Sequence, residues 1–167
     1  MAIQKSKNIV KLSLDEFSFE EFKLIAIQTH LEDYKVAFTL NKMLEMRFIK
    51  EPVEIEFTNE TGTGSFSHFI FEDSRNDLIW SLVQNKSFIQ NNTSQKNSLF
   101  TEIDHKFSSQ INLIPELNKF DYLLKIDEID DYYDIDSFIS KLSNLKHIST
   151  VYLADTEQIK SINNLIF

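Results

Sequence analysis

The chain contains no cysteine. Disulfides, thiolate nucleophiles and thiolate zinc sites are therefore excluded, and a reducing compartment is its natural home. Glycine is almost as scarce. The only two, in Gly62-Thr63-Gly64, lack the third glycine and the following Lys-Ser/Thr that a phosphate-cradling loop needs, so they read as a hairpin tip. Positive charge is also short: 17 Lys and Arg face 26 Asp and Glu, a net charge of −9, which disfavours partners such as nucleic acids that are held by broad phosphate neutralisation. No apolar run reaches bilayer length. The basic start leads into Ile9 to Leu14, which Lys11 and Ser13 interrupt, so neither a signal peptide nor a membrane span is expected. The sequon-like triplets at Asn59, Asn85, Asn91 and Asn92 then carry no glycosylation meaning.

What is present points to a well-filled core. A chain of 167 residues is expected to fold as a single domain, 1–167, without staples. Fifteen phenylalanines fit an aromatic interior. Ile9 to Leu14 partly alternates, as an edge strand would, and Leu24 to Gln28 reads as an apolar strand. Thr29 to Glu32 has capping-box spacing, which predicts a helix from His30 to about Leu44 with Leu31, Tyr34, Ala37, Phe38 and Leu44 on its apolar stripe. A meander is expected at Met46 to Ile49, Val53 to Phe57, Ser65 to Glu72 and Leu78 to Gln84, with turns over Thr58 to Gly64 and Asp73 to Asp77. Lys86 to Ser98 lacks periodicity and reads as a surface loop. Phe138, Ile139, Leu142 and Leu145 give helical spacing from Ile135 to Leu145. Ser149 to Ala154 is strand-like, and Asp155 offers a cap to a final turn.

The segment Ile111 to Asp127 organises the rest. Its apolar run breaks at Pro115, which lacks an N–H and biases Ile114 towards extended geometry, and resumes after Lys119. Two strands, Ile111 to Ile114 and Phe120 to Ile126, are expected around a tight corner. Ile114-Pro115-Glu116, three free positions, then Phe120-Asp121-Tyr122 resembles the signature of the IPExxxVDY family, with Phe120 where the family name has valine. Phe22 to Ile27, Leu31 to Tyr34 and Lys160 to Phe167 resemble that family as well. The resemblance implies a cytoplasmic Bacteroidota protein with no assigned activity, and it brings no catalytic residues with it.

Candidate chemistry is sparse. His30, His68, His105 and His147 lack metal-ligand spacing. The acidic run Asp127 to Asp136 lacks the glycine and the final glutamate of a calcium loop, which leaves a solvated segment favouring a helix N-terminus. Ser143 with Lys146 is a bare Ser-x-x-Lys spacing. No metal or cofactor is implied. Glu116, Asp121 and Tyr122 are polar groups in an apolar segment and support two readings. Either they act as an acid/base set, or Glu116 accepts turn N–H bonds, Asp121 caps an element and Tyr122 fills core with its hydroxyl bonded. The element order predicts an α+β two-layer sandwich, a mostly antiparallel sheet with helices on one face, ferredoxin-like or related. The functional expectation is a cytoplasmic, non-enzymatic protein-binding or adaptor domain, with Phe17, Phe19 and Phe22 among the acids Asp15 to Glu21 as the partner surface. A small enzyme using the Glu116 and Asp121 carboxylates is the alternative. The apolar ending Leu165-Ile166-Phe167 is expected to pack back on the domain.

Overall fold

The computed structural model describes residues 22–90, 108–130 and 132–167. In chain order it has β1 (Lys23–Thr29), α1 (Asp33–Met43), β2 (Ile49–Lys50), β3 (Ile55–Asn59), β4 (Gly62–Phe66), β5 (His68–Asp73), β6 (Leu78–Gln84), β7 (Lys86–Gln90) and β8 (Ser108–Asn112). A 3-10 turn at Pro115–Leu117 leads to β9 (Tyr122–Asp127), α2 (Ile135–Ser143) and β10 (Ile148–Ala154), followed by 3-10 turns at Thr156–Gln158 and Ile162–Leu165.

Six strands form one sheet in the order β10-β1-β9-β6-β5-β2, with every neighbour antiparallel. It follows that β1 and β6 run parallel with β9 between them, and β9 and β10 run parallel with β1 between them. β5 and β2 extend the sheet beyond these four strands. The architecture is α+β, with both helices on one face. On that face Ile25, Ile27, Trp80, Leu82, Leu124 and Ile126 meet Val36, Ala37 and Leu40 of α1 and Phe138 and Leu142 of α2. The other face carries Leu24, Ala26, Val83 and Leu123 against Phe66, Ile111, Leu113, Ile114 and Leu165. Two hairpins, β3–β4 and β7–β8, the Pro115 corner and the C-terminal turns supply this cover. Burial on both faces is why β1 and β9 read as continuous apolar runs rather than alternating ones.

α2 follows its spacing: Phe138, Leu142 and Leu145 are buried, and the Asp134 carboxylate accepts the Ser137 N–H as N-cap. α1 departs from expectation. It begins at Asp33 after Glu32, without a side-chain cap bond. Thr29 instead ends β1, where its hydroxyl donates to the His147 carbonyl and its amide donates to the Asp121 carboxylate, holding it in strand geometry. The buried stripe is Val36, Ala37 and Leu40, while Tyr34 and Phe38 are 57% and 64% exposed and Leu31 is half-buried. Asn41 misleads the pattern. It lies on the inward side because its amide oxygen accepts the Phe48 N–H and its amide nitrogen donates to the Phe48 carbonyl, a closed pairing that tethers the chain after α1.

The meander is cut differently from the sequence reading. The first two strands lie at Ile49–Lys50 and Ile55–Asn59 rather than at 46–49 and 53–57. The stretch Ser65 to Glu72 is two strands in different sheets, because at Ser67 the carbonyl accepts from Gln84 while β4 has already turned to β3. The glycine stretch is mostly strand, and Gly62 takes φ 142° after the two-residue tip Glu60-Thr61. Lys86–Gln90 is a strand paired with β8, not a loop; Ile89 packs against the hairpin-side core while Phe88, on the opposite face of the strand, is exposed. β8 ends at Asn112, two residues before the expected stop, and β9 begins at Tyr122 rather than Phe120. The expected edge strand at Ile9 to Leu14 lies outside the described residues, as do Asn91 to Ser98. Among the described residues no helix is long and apolar enough to cross a membrane.

Candidate functional site

Each polar residue of the Pro115 corner is bonded to a different part of the fold. Pro115 occupies the first turn of its 3-10 helix, where a missing N–H costs nothing, and Ile114 is fully buried. Glu116 reaches the C-terminal region: one oxygen accepts the N–H groups of Lys160 (2.9 Å) and Ser161 (3.1 Å), and the other accepts the Ser161 hydroxyl. Asp121 reaches the other way, accepting the Thr29 N–H at 2.9 Å and the Lys86 ammonium at 2.7 Å. The Tyr122 ring is buried and its hydroxyl donates to the Leu31 carbonyl at 2.9 Å. Burial, reinforced by Asp33, Asp121 and Glu32, pushes that phenol well above its ordinary value, so it stays protonated. The two carboxylates share no bonding partner. As placed, they tie down separate elements.

Asn85 completes the corner. This fully buried side chain donates to the Leu117 and Phe120 carbonyls and accepts the Ile114 N–H. In sequence it stands out only as a sequon-like asparagine. The available signal was its position, directly after the mostly apolar strand Leu78 to Gln84.

The Glu116 carboxyl shows the chemistry of this clamp. Burial raises its pKa, but the bonds from the Ser161 hydroxyl and the surrounding backbone N–H groups outweigh that and leave it below its ordinary 4.5. A carboxylate depressed in the folded state stabilises above its unfolded pKa and loses that contribution as pH falls through the folded value. The amide resonances of Lys160 and Ser161 are therefore expected to titrate together below pH 4.5, and Glu116→Ala should remove that titration. A midpoint at or above the ordinary value would refute the clamp.

The other candidates are dispersed. His30 and His147 are exposed, and His105 lies outside the described residues. Among the described residues no group of three metal-capable side chains converges. The Ser143 hydroxyl donates back to the Ile139 carbonyl within α2. Three acids of the run are engaged locally: Asp127 lies 2.8 Å from the Lys125 ammonium, Asp130 accepts the Tyr132 and Tyr133 amides, and Asp134 caps α2. Phe17 and Phe19 lie outside the described residues. Phe22 is half-buried against the hairpin-side core, with the Lys125 ammonium 5.0 Å from its ring centre.

The described residues also form clefts that the sequence reading did not identify. One, of about 570 Å³, opens on the hairpin face beside β5 and is bounded by Val53, Ile55, His68, Ile70, Ile166 and Phe167, with Glu51, Glu54 and Glu56 also lining it. Its apolar surroundings are open to solvent: Val53 is 75% exposed, Ile166 68%, and Ile49, cross-strand from Ile70, 72%. The Phe167 ring meets the His68 imidazole edge-on at 4.6 Å, and His68 Nε2 is buried with no partner among the described residues. Burial lowers the His68 pKa, against the pull of Glu51 and with the help of Lys125, so the ring is neutral at pH 7. Leu165 is buried, as packing of the chain's apolar ending requires, but Ile166 and Phe167 stay at the cleft margin. The second cleft, of about 650 Å³, lies on the helix face. No family model, curated protein or solved structure matches the chain.

Proposed function

We propose that this is a non-enzymatic protein-binding domain of the reducing cytoplasm, and that its partner presents an apolar anchor flanked by basic residues. The observation that carries this reading is the apolar cleft on the hairpin face. Ile49, Val53, Ile70 and Ile166 form a partly exposed apolar surface rimmed by Glu51, Glu54 and Glu56, on a protein of net charge −9. An exposed apolar patch with a charged rim suits a protein interface, and the rim charges favour approach of a basic partner. Glu54 is partly engaged by Lys50 and Ser65, which leaves Glu51 and Glu56 as the freer pair. Tyr34 and Phe38 on the outer face of α1 make a weaker docking surface, since Lys35 and Lys42 already lie over their rings.

The enzyme alternative finds no support in the bonds of Glu116, Asp121 and Tyr122, all of which are spent on structure. The same bonds account for the motif that resembles the IPExxxVDY signature. Kinship with that family, which this proposal includes, then carries an architectural motif: its residues fasten the corner to β1, to the C-terminal turn and to the chain entering α1.

Peptides with one Phe or Leu flanked by lysines should bind, and their glutamate-flanked counterparts should not. Ile49→Asp with Val53→Asp should abolish binding while changing stability by no more than about 0.5 kcal/mol, as exposed sites allow. Equal binding of both peptide sets, or capture unchanged by the double variant, would defeat this reading.

A further inference from the structure

We infer that the helix-face cleft, between the end of α1, the β5–β6 turn and α2, binds a small molecule carrying a phosphate group beside a planar ring. The chain has only two arginines, Arg47 and Arg75, and both line this cleft together with Lys141. They arrive from three separate elements: the chain after α1, the β5–β6 turn and α2. None of the three makes an ion pair or a side-chain hydrogen bond among the described residues, although the protein carries a large excess of carboxylates. Glu45, Glu72 and Asp73 share the cleft, but the Asp73 oxygens are taken by the Arg75 N–H and the Asn76 amide within the turn. Two guanidinium forks and an ammonium suit a tetrahedral oxyanion, whose oxygens accept several charge-assisted bonds at once.

The ring requirement comes from the wall. Phe71, Trp80 and Tyr133 line the same cleft, with Tyr133 edge-on to Trp80 at 6.0 Å. The Trp80 indole N–H is buried and has no acceptor among the described residues. A volume of about 650 Å³ accommodates a small molecule rather than a polymer. This cleft lies on the opposite face of the sheet from the proposed protein-binding cleft, so neither proposal depends on the other.

Trp80 is the sole tryptophan, so one indole N–H resonance reports on the cleft directly. Titration of the full chain with phenyl phosphate is expected to shift that resonance saturably at millimolar concentrations. Phenol, the same ring without the charge, should leave it in place. Arg47→Gln and Arg75→Gln, both exposed positions, should each weaken phenyl phosphate binding by about tenfold, the value of one charge-assisted contact, with the unliganded resonance and the urea midpoint unchanged. No shift with phenyl phosphate, an equal shift with phenol, or undiminished binding to the double glutamine variant would overturn the assignment.

Discussion

Asn85→Leu is expected to destabilise the protein by about 4 kcal/mol or more, because it leaves one donor and two acceptors without partners and each such buried group costs about 1–3 kcal/mol. The side chain is fully buried and spans three backbone groups of the Pro115 corner: the Ile114 N–H and the Leu117 and Phe120 carbonyls, all between 2.9 and 3.1 Å. Leucine has nearly the same shape, so packing volume is kept and the loss isolates the polar term. The main chain of Asn85 is tied at the same place, its N–H to the Asp121 carbonyl and its carbonyl to the Leu113 N–H. These bonds survive the substitution but lose the corner they anchor. A total stability of about 5–15 kcal/mol is usual for a domain, so the variant should sit near the edge of folding. Urea denaturation measures it. A loss below about 1 kcal/mol would mean that water replaces the amide at no great cost and that the corner is held by its apolar contacts alone.

The parts of the fold that were readable in the sequence are those where burial alone sets the pattern. The runs Leu24 to Gln28 and Tyr122 to Ile126 lie on inner strands of the sheet and are apolar except for Gln28 and Lys125, so strand geometry follows from composition. α2 has one wet and one dry face and shows its period plainly. α1 was misread because a polar residue occupies its dry face. Asn41 is admitted there by a bond pair with Phe48 that no local pattern encodes, and with Asn41 discounted the eye selects the wrong side, Tyr34 and Phe38. Thr29 fails as a cap for a related reason: its partners, Asp121 and His147, are 92 and 118 residues away in the chain. The corner motif was legible as a corner, and the second of its two readings, bonds to the fold, is the one its contacts support. Where those bonds lead was not legible, since Glu116 binds a turn 44 residues later. The clefts depend on elements far apart in sequence. Nothing read along the sequence shows that the two arginines, Arg47 and Arg75, line the same cleft.

Tyr122→Ala should cost about 3–5 kcal/mol, the usual range for removing a buried aromatic ring. The ring is 4% exposed and belongs to the helix-side core, where it touches the same cluster as Ile25, Ile27 and Leu40. It sits at the first residue of β9, an inner strand, cross-strand from Ile27 on one side and Gln84 on the other, so the cavity is flanked by paired strands on both sides. Tyr122→Phe separates the two contributions. It keeps the ring and removes only the bond to the Leu31 carbonyl, which lies at the start of the segment leading into α1. A loss of about 1 kcal/mol is expected for that bond, more if the carbonyl finds no water. Because the phenol is held protonated by burial, neither variant should alter the pH dependence of stability between about pH 5 and 8, where an ordinary tyrosine does not titrate either. If Tyr122→Phe destabilised as much as Tyr122→Ala, the hydroxyl and not the ring would be what fixes β9 against α1. If both left the denaturation midpoint in place, Tyr122 would not be part of the core, and its proposed role as an architectural residue of the motif would fall with it.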